Sequence, residues 1–519
     1  MQRLHNAPEA ARWLRERVTG ELRTDSRLVG AGDAFIAWPG AATDGRQYLA
    51  QALAQGASAC LLEDEGHAPW LQALPEASSN SARLAVMKGL KSQTGWVADA
   101  YYEQPSQALS VLAVTGTNGK TSTAWWLAQA LSSPALQENR GAGREGCGLV
   151  GTLGVGQWPH VVSTGMTTPD PVLLQRQFRQ FVDQGLSYCA IEASSIGLSE
   201  QRLNGTQIRV AMFTNFTQDH LDYHGDMARY WAAKEILFSW PGLQAAVINI
   251  DDPKGAELAT RLADSGLEIW TCSRQGPARL QAKARASAAG LVFDVTEGAE
   301  VQTLHTGLMG DFNIDNLLAV LGSLRALGFD LDQSAEACAQ VTAVPGRMHL
   351  VSTDAQNDSL PLVVVDYAHT PDAVTHALTA LRPQAATRGG RLWCVVGCGG
   401  ERDASKRPLM AAAAEQAADR LVLTSDNPRS ESPEAILAEM ASGLSRPDLV
   451  TVQVDRAATI AQVVASAAAQ DVVLLAGKGH ETVQEIRGAR VPFSDVLQAQ
   501  HALQRRAADT TRVTAGGVL

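Results

Sequence analysis

The chain has 519 residues, which at roughly 150 residues per domain suggests three to four domains. Its 43 Lys and Arg against 54 Asp and Glu leave a formal charge of −11, with 45% hydrophobic and 19% charged residues. These proportions fit a soluble globular protein and exclude disorder as the main state, and the acidic balance excludes a global basic field for nucleic acid.

The chain opens Met1-Gln2-Arg3-Leu4-His5 with no apolar stretch behind it, so no signal peptide is expected. No apolar run approaches about 18 residues, so no membrane span is expected either. The cysteines are Cys60, Cys147, Cys189, Cys272, Cys338, Cys394 and Cys398. They are odd in number and scattered, with no Cys-x-x-Cys pair, which argues against a zinc site or a disulfide framework. Buried or idle thiols in a reducing compartment are expected. A cytoplasmic monomer without nucleic-acid or membrane partners is the expectation.

Strand-like apolar runs alternate with Ala/Leu-rich helical stretches along the chain. The runs include Val111–Thr115, Ala245–Ile250, Leu362–Asp366, Leu392–Val396, Arg420–Thr424 and Val472–Ala476. This alternation predicts an α/β protein with mainly parallel sheets. Proline-bearing breaks near 103–108 and 343–348 divide it into three domains, 1–107, 108–344 and 345–519. Segment 132–148 and the polar tail from Asp509 read as surface loops.

Between a strand pattern at Leu109–Thr115 and a helix pattern at Thr121–Leu131 lies Thr115-Gly116-Thr117-Asn118-Gly119-Lys120-Thr121. Glycines let the backbone fold tightly, so that successive N–H groups and a helix N-terminus face phosphate oxygens. Lys120 would reach the β/γ-phosphates and Thr121 would ligate Mg²⁺. The strict phosphate-loop pattern requires glycine where this chain has Val114, but the strand–turn–helix context is the right one.

The next apolar run, Tyr188–Ile191, leads into Glu192-Ala193-Ser194-Ser195, and a carboxylate at such a strand end suits a nucleotide-bound Mg²⁺. Asp219, His220, Asp222, His224 and Asp226 follow within eight residues, dense enough for a metal or simply a polar loop. Lys234 falls on a helix pattern, Tyr230–Phe238. In Gly310-Asp311-Phe312-Asn313-Ile314-Asp315-Asn316, either asparagine could cap a helix or contact a nucleotide.

These pieces, in this order, resemble the Mur ligases, ATP-dependent amide-forming enzymes of peptidoglycan precursor synthesis. Pro345-Gly346-Arg347-Met348 and Asp366-Tyr367-Ala368-His369 extend the match, which runs from about Asp25 to about Asp495. The resemblance implies an N-terminal UDP-binding α/β domain, a central P-loop ATPase domain and a C-terminal Rossmann-like domain. Asp25-Ser26-Arg27, Gly32-Asp33-Ala34-Phe35 and Asp44-Gly45 are most similar to members that extend UDP-N-acetylmuramoyl-L-alanyl-D-glutamate, with Ser26 contacting the UDP end.

By the same resemblance, Lys120, Glu192, His220 and Lys234 are the catalytic set. Thr121 and Glu192 hold one Mg²⁺, and His220 and Lys234 help hold a second, the lysine being carbamylated. Thr115 to Thr121, Asn313, Arg347 and Asp366 contact ATP. Thr167, Thr168, Ser194 and Arg202 hold the muramoyl-dipeptide. The chain departs from relatives at Ile196, Gln218 and His349, where they commonly carry His, Arg and Glu.

The C-terminal third carries the selectivity signal. Gly397-Cys398-Gly399-Gly400-Glu401-Arg402-Asp403 follows a strand, and from Arg391 to Met410 four basic residues oppose two acids. A glycine-rich basic strand end suits an anionic ligand. Asp426-Asn427-Pro428-Arg429 comes next, a turn before a helix begun at Ser432-Pro433-Glu434. In relatives this motif marks addition of meso-diaminopimelate, whose second carboxylate an arginine can pair bidentately. Arg402, Gly477 and Glu481 match further amino-acid contacts. The competing readings are an L-lysine-adding ligase, a folylpolyglutamate synthase, and a P-loop switch that makes no covalent product.

Overall fold

The computed structural model describes residues 1–40, 43–74, 81–137, 146–285, 290–351 and 359–515. They build three main sheets in chain order. The first has five parallel strands, ordered Gln2–Leu4, Leu84–Met87, Ala59–Glu63, Ala34–Ala37 and Leu22–Arg23. Every residue of Ala34–Ala37 and Ala59–Glu63 is buried, as expected for strands covered on both faces.

The second sheet has ten strands. Its centre is parallel, and Ser110–Thr115 lies between Val210–Phe213 and Tyr188–Glu192. Antiparallel strands close both edges: Gly154–Gln157 on one side, Leu291–Glu297 and Glu300–Thr306 on the other. The helices Lys120–Leu131 and Phe312–Ala326 cover one face through Trp126, Leu127, Leu317 and Leu321. The other face is covered through Phe178 and Phe181 of the helix Pro171–Asp183.

The third sheet has six strands, ordered His349–Leu350, Leu362–Asp366, Val472–Ala476, Leu392–Val396, Arg420–Thr424 and Thr451–Gln453. All pair in parallel except His349–Leu350. A hairpin, Val483–Ile486 with Ala489–Pro492, follows the last central strand. The α/β, mainly parallel expectation holds, and four of the six strand runs named from sequence match residue for residue. The other two shift by one residue at one end, to Ser110–Thr115 and Ala245–Asn249. The breaks near 103–108 and 343–348 fall between sheets.

Three local expectations need correction. The helix expected over Tyr230–Phe238 is an α-helix Met227–Glu235 that tightens into a 3₁₀ turn Ile236–Ser239. The tail expected as a loop from Asp509 continues the helix Asp495–Ala515. Within 132–148, Pro134–Gln137 is a helical turn and a strand begins at Cys147, while 138–145 lie outside the described residues.

All seven cysteines are buried and unpaired. Among the described residues no helix is long and apolar enough to cross a membrane. The first two bodies meet where the helix Leu90–Tyr101 packs on Pro171–Asp183. A cavity of about 360 Å³ at this junction is lined by Trp96, Asp99, Asn204 and Trp240. The Oδ1 of Asp99, a residue 7% exposed, has no hydrogen-bond partner among the described residues. Burial raises this carboxyl to a pKa of about 6.

Candidate active site

The phosphate-loop expectation is met in shape: strand Ser110–Thr115, a glycine turn, then helix Lys120–Leu131. Val114, where the strict pattern has glycine, is an ordinary sheet residue in register with Met212 and Glu192. The chain turns later, at Gly116 (φ +146) and Gly119 (φ +86). A Cβ at Gly116 would lie 1.9 Å from Thr214 Oγ1, and one at Gly119 would lie 2.2 Å from Asn316 Oδ1. Both positions therefore require glycine for conformation and for space. The N–H groups of Thr117 and Asn118 donate to Asn215, to its carbonyl and its side-chain oxygen respectively, each at 2.8 Å.

Lys120 Nζ donates to the carbonyls of Gly116 and Thr117, at 3.0 and 2.8 Å. Lys234, 1% exposed, donates to the same Gly116 carbonyl at 2.6 Å and lies 4.4 Å from the Tyr230 ring centre. Burial, reinforced by the Lys120 ammonium, holds the Lys234 amine well below the usual lysine range. Burial lowers Lys120 as well, against the pull of Glu192 and Asp219.

Strand order explains the next feature. Glu192 ends the strand beside the phosphate-loop strand, so its carboxylate meets Thr121, whose Oγ1 donates to it at 3.0 Å. Thr152 adds its N–H at 2.7 Å and its hydroxyl at 3.2 Å. Thr152 also bonds Thr167 (3.0 Å). Thr168 is fully buried: its hydroxyl donates to the Glu192 carbonyl (2.7 Å) and bonds Ser194 Oγ (2.9 Å), and its carbonyl accepts from Arg202 (2.8 Å). It ties Ser194 and Arg202 to the end of the Glu192 strand.

The five acidic and imidazole groups of 219–226 do not converge. Asp226 caps the helix Met227–Glu235, His224 bonds Ser195 Oγ (3.0 Å) and Asp222 is exposed. Asp219 is buried, with His220, His369 and Lys406 at 3.5, 3.6 and 3.6 Å. Burial works against ionisation, but the hydrogen bond with His369 and the charge of the neighbouring groups outweigh it and hold the carboxyl well below the usual range. Burial lowers His220 to about 4, leaving a neutral imidazole able to accept. Among the described residues no three His, Cys, Asp or Glu gather as a metal cage. Mg²⁺ needs none when phosphates and water complete its shell, so Thr121, Glu192 and His220 fit as sparse ligands.

A cavity of about 450 Å³ runs between the ten-stranded and six-stranded sheets and brings Lys120, Thr121, Glu192, His220, Asn313, Arg347 and Asp366 together. Arg347 donates to Thr121 Oγ1 (3.3 Å) and lies over the Tyr367 ring at 4.3 Å. Asp366 accepts from the Met348 N–H (2.7 Å). Neither asparagine caps its helix: Asn313 donates to the Met309 carbonyl (2.7 Å) and Asn316 to Asn313 (2.9 Å). Ser26 lies apart in the first body, 5% exposed and 3.4 Å from Gln51 Oε1.

The second candidate group occupies the C-terminal ends of three neighbouring parallel strands, where open α/β sheets bind ligands. A Cβ at Gly399 would lie 3.0 Å from Arg429 Nη1 and 3.8 Å from Arg402 Cγ, so two guanidinium side chains flank one glycine. Arg429 adopts φ +52 and donates to the Gly400 carbonyl at 2.6 Å. Asn427 donates to Glu481 at 2.8 Å. Gly477 packs on Asp426, whose Oδ2 would meet a Cβ there at 2.5 Å. Pro428 runs beside Gly400, where a Cβ would meet its carbonyl at 2.1 Å.

The basic patch counted from sequence is weaker than its formal charge. Arg407 is buried between Glu431 (2.9 Å) and Glu439 (2.8 Å), and Lys406 serves Asp219. Of that patch Arg391, before the strand Leu392–Val396, and Arg402, after it, remain, and Arg429 from the next strand end lies 3.6 Å from Glu485. Sequence reasoning missed Lys478, which is fully buried and donates to Asn427 and Glu481 at 2.9 and 2.8 Å. It also missed Thr152 and Asn215, and it named Asp219 and His369 without pairing them. The Gly-Lys-Gly-His-Glu run was the one signal that pointed at Lys478.

A parallel-sheet nucleotide fold with its cavity against a second Rossmann-like sheet defines a class, and comparison with known families names it. The Mur ligase middle domain matches residues 114–324, the Mur ligase glutamate ligase domain 346–479, and the Mur ligase family catalytic domain 20–91. The chain belongs to the Mur ligase family.

Among its relatives is the UDP-N-acetylmuramoyl-L-alanyl-D-glutamate–2,6-diaminopimelate ligase of Acidovorax sp. (strain JS42). It is 57% identical over 499 residues, covering 96% of this chain and 97% of its own. A solved structure of a ligase of the same name is 35% identical with TM-score 0.61, covering 94% and 95% of the two chains. The MurF ligase of Thermotoga maritima in complex with ADP has TM-score 0.64 over 96% and 99%, at 18% identity a likeness of fold.

Proposed function

We propose that this chain is an ATP-dependent ligase that joins meso-2,6-diaminopimelate to UDP-N-acetylmuramoyl-L-alanyl-D-glutamate in peptidoglycan precursor synthesis. The observation that carries the amino-acid choice is the pair Arg402 and Arg429 flanking Gly399, with Glu481 at the next strand end. Diaminopimelate differs from lysine by one carboxylate, and a guanidinium supplies a planar partner for it. Glu481 would take the distal ammonium. The relatives named above support the same reading.

Three units would each hold one ligand: 1–107 the UDP end through Ser26, 108–344 ATP, and 345–519 the amino acid. Thr167, Thr168, Ser194 and Arg202 would hold the muramoyl-dipeptide beside the strand end of Glu192. The loop Thr115–Thr121 would cradle the phosphates, and Asn313, Arg347 and Asp366 would contact ATP from the cavity's other walls.

The chemistry follows from that placement. The D-glutamyl side-chain carboxylate attacks the γ-phosphorus of ATP, the bond to the bridging oxygen breaks, and ADP leaves. The acyl phosphate is then attacked by the diaminopimelate amine, the amide forms, and inorganic phosphate departs with the amine proton lost to solvent or a base. Lys120 and Arg347 are placed to offset negative charge on the transferring group. One Mg²⁺ held by Thr121 and Glu192, and a second held with the help of His220 and Lys234, would neutralise phosphate charge. A carbamate on Lys234 would replace a repelling ammonium by a carboxylate, and its lowered basicity favours the neutral amine that CO₂ requires.

The deciding experiment supplies ATP and UDP-N-acetylmuramoyl-L-Ala-D-Glu with either diaminopimelate or L-lysine and measures phosphate release and product mass. Diaminopimelate-dependent product supports the reading. Preference for lysine, or ADP release independent of any amino acid, refutes it.

A further inference from the structure

One fully buried ion pair in the third body, Arg456 with Asp495, takes no part in the chemistry above. Arg456 begins the helix Arg456–Ser466, and Asp495 begins the C-terminal helix. Both side chains have no exposed surface. Arg456 Nε and Nη2 pair with the two carboxylate oxygens of Asp495 at 2.7 and 2.6 Å. The outer side of the guanidinium faces the sheet: Nη2 donates to the carbonyl of Ala476 (2.9 Å) and Nη1 to that of Ser425 (3.4 Å).

Those two carbonyls end the strand segments that run straight into the candidate amino-acid site. Ser425 precedes Asp426-Asn427-Pro428-Arg429, and Ala476 precedes Gly477-Lys478-Gly479-His480-Glu481. One planar fork therefore spans both loops from behind. A buried ion pair is weak evidence of stability, since the desolvation of two charges offsets most of their attraction. It is good evidence of fixed geometry, because a guanidinium holding four acceptors tolerates little displacement. The spacing it fixes is tight: a Cβ at Gly477 would meet Asp426 Oδ2 at 2.5 Å. Gln484 supports the same place from the hairpin, donating to Ser425 Oγ (3.0 Å) and the Asp426 carbonyl (2.6 Å).

We infer that Arg456 and Asp495 are positioning residues for amino-acid selection, holding the 426–429 and 477–481 loops at the separation the incoming amino acid requires. This rests on the reading that these loops bind that amino acid. They touch no ligand. Their influence falls first on the amino acid, because the phosphate loop and the UDP end lie on other sheets, while Asp366, in register with Ala476, joins this sheet to the nucleotide cavity.

The test is steady-state kinetics of Asp495→Asn and Arg456→Lys with each substrate varied in turn. The expected result is a KM for diaminopimelate raised about 10-fold or more, as for loss of a charged hydrogen bond. The KM for the UDP-substrate should stay within about twofold, as for a distant independent site, and the KM for ATP should rise less than that for diaminopimelate. An unchanged diaminopimelate KM overturns the inference, and so does an equal rise in all three KM values, which marks a structural role alone. If the single variants do not fold, the double variant Arg456→Met/Asp495→Leu removes both charges together and is read in the same way. If the wild-type enzyme prefers another amino acid, the substrate reading fails, and the pair is then judged on the KM of the amino acid used.

Discussion

Lys120 and Lys234 aim two ammonium groups at a single oxygen, the Gly116 carbonyl, at 3.0 and 2.6 Å. One carbonyl cannot satisfy two cations, and the buried one, Lys234, bears the consequence. Its folded amine binds protons less readily than the unfolded chain's, so unmodified Lys234 makes stability rise with pH in the window below 10.5. In bicarbonate-free buffer, Lys234→Met is expected to melt higher than wild type at pH 7, and the gap should narrow toward pH 10. ADP formation should be lost. Thermal melts at both pH values check this, and rescue of Lys234→Ala activity by short carboxylic acids would tie the position to a carbamate.

Lys120→Ala should reduce ADP release by about 100-fold or more, the scale of removing one preorganised charge donor at a reacting centre. The remaining lysine still holds the Gly116 carbonyl, so the fold should survive. Coupled ADP assay beside a melting curve separates the two effects. Near-normal turnover would remove Lys120 from phosphate binding.

Gly116→Ala should inactivate for a different reason. The new methyl would sit 1.9 Å from Thr214 Oγ1 and 3.1 Å from Asn215 N, so both the turn and its neighbour must move. Nucleotide affinity is the readout, and binding equal to wild type would mean the loop does not hold phosphate.

Arg429→Ala should weaken diaminopimelate use by about 10- to 100-fold through loss of a charge-assisted contact. It also frees the Gly400 carbonyl that Arg429 Nη1 holds. Competition between diaminopimelate and lysine is the informative measurement, and unchanged selectivity would exclude the role.

Asp99 offers a pH-dependent stability test away from any chemistry. Its folded pKa of about 6 lies above the ordinary 3.8, so the folded state binds more protons between those values. Stability is therefore lost as pH rises through that window, and the cost persists above it. Asp99→Asn is expected to stabilise the protein at pH 8 by on the order of 1 kcal/mol, and by little at pH 4. Equal melting temperatures at pH 8 would refute it.

The sequence was most legible where contacts are local. The strand Leu392–Val396 and the Gly-Lys-Thr turn each depend on residues within ten positions, and apolar runs and glycines report them directly. Asp219 with His369 and Lys406 was not legible, because residues 150 to 187 positions apart meet only once two sheets face each other. Arg407 misled in the opposite direction: charge counting treats it as available, while Glu431 and Glu439 consume it.

Tyr367 gives the two ligand ends a shared wall. Arg347 lies over its ring at 4.3 Å while bonded to Thr121, and His480 stacks at 5.4 Å one residue from Glu481. The amino-acid end is thus not an interchangeable cassette. A chimaera that imports only another relative's 426–429 and 477–481 loops would meet a ring tuned to the old partner, and the disturbance would travel to the nucleotide side. Redesign of substrate choice in this scaffold should carry Tyr367 and its neighbours as one block.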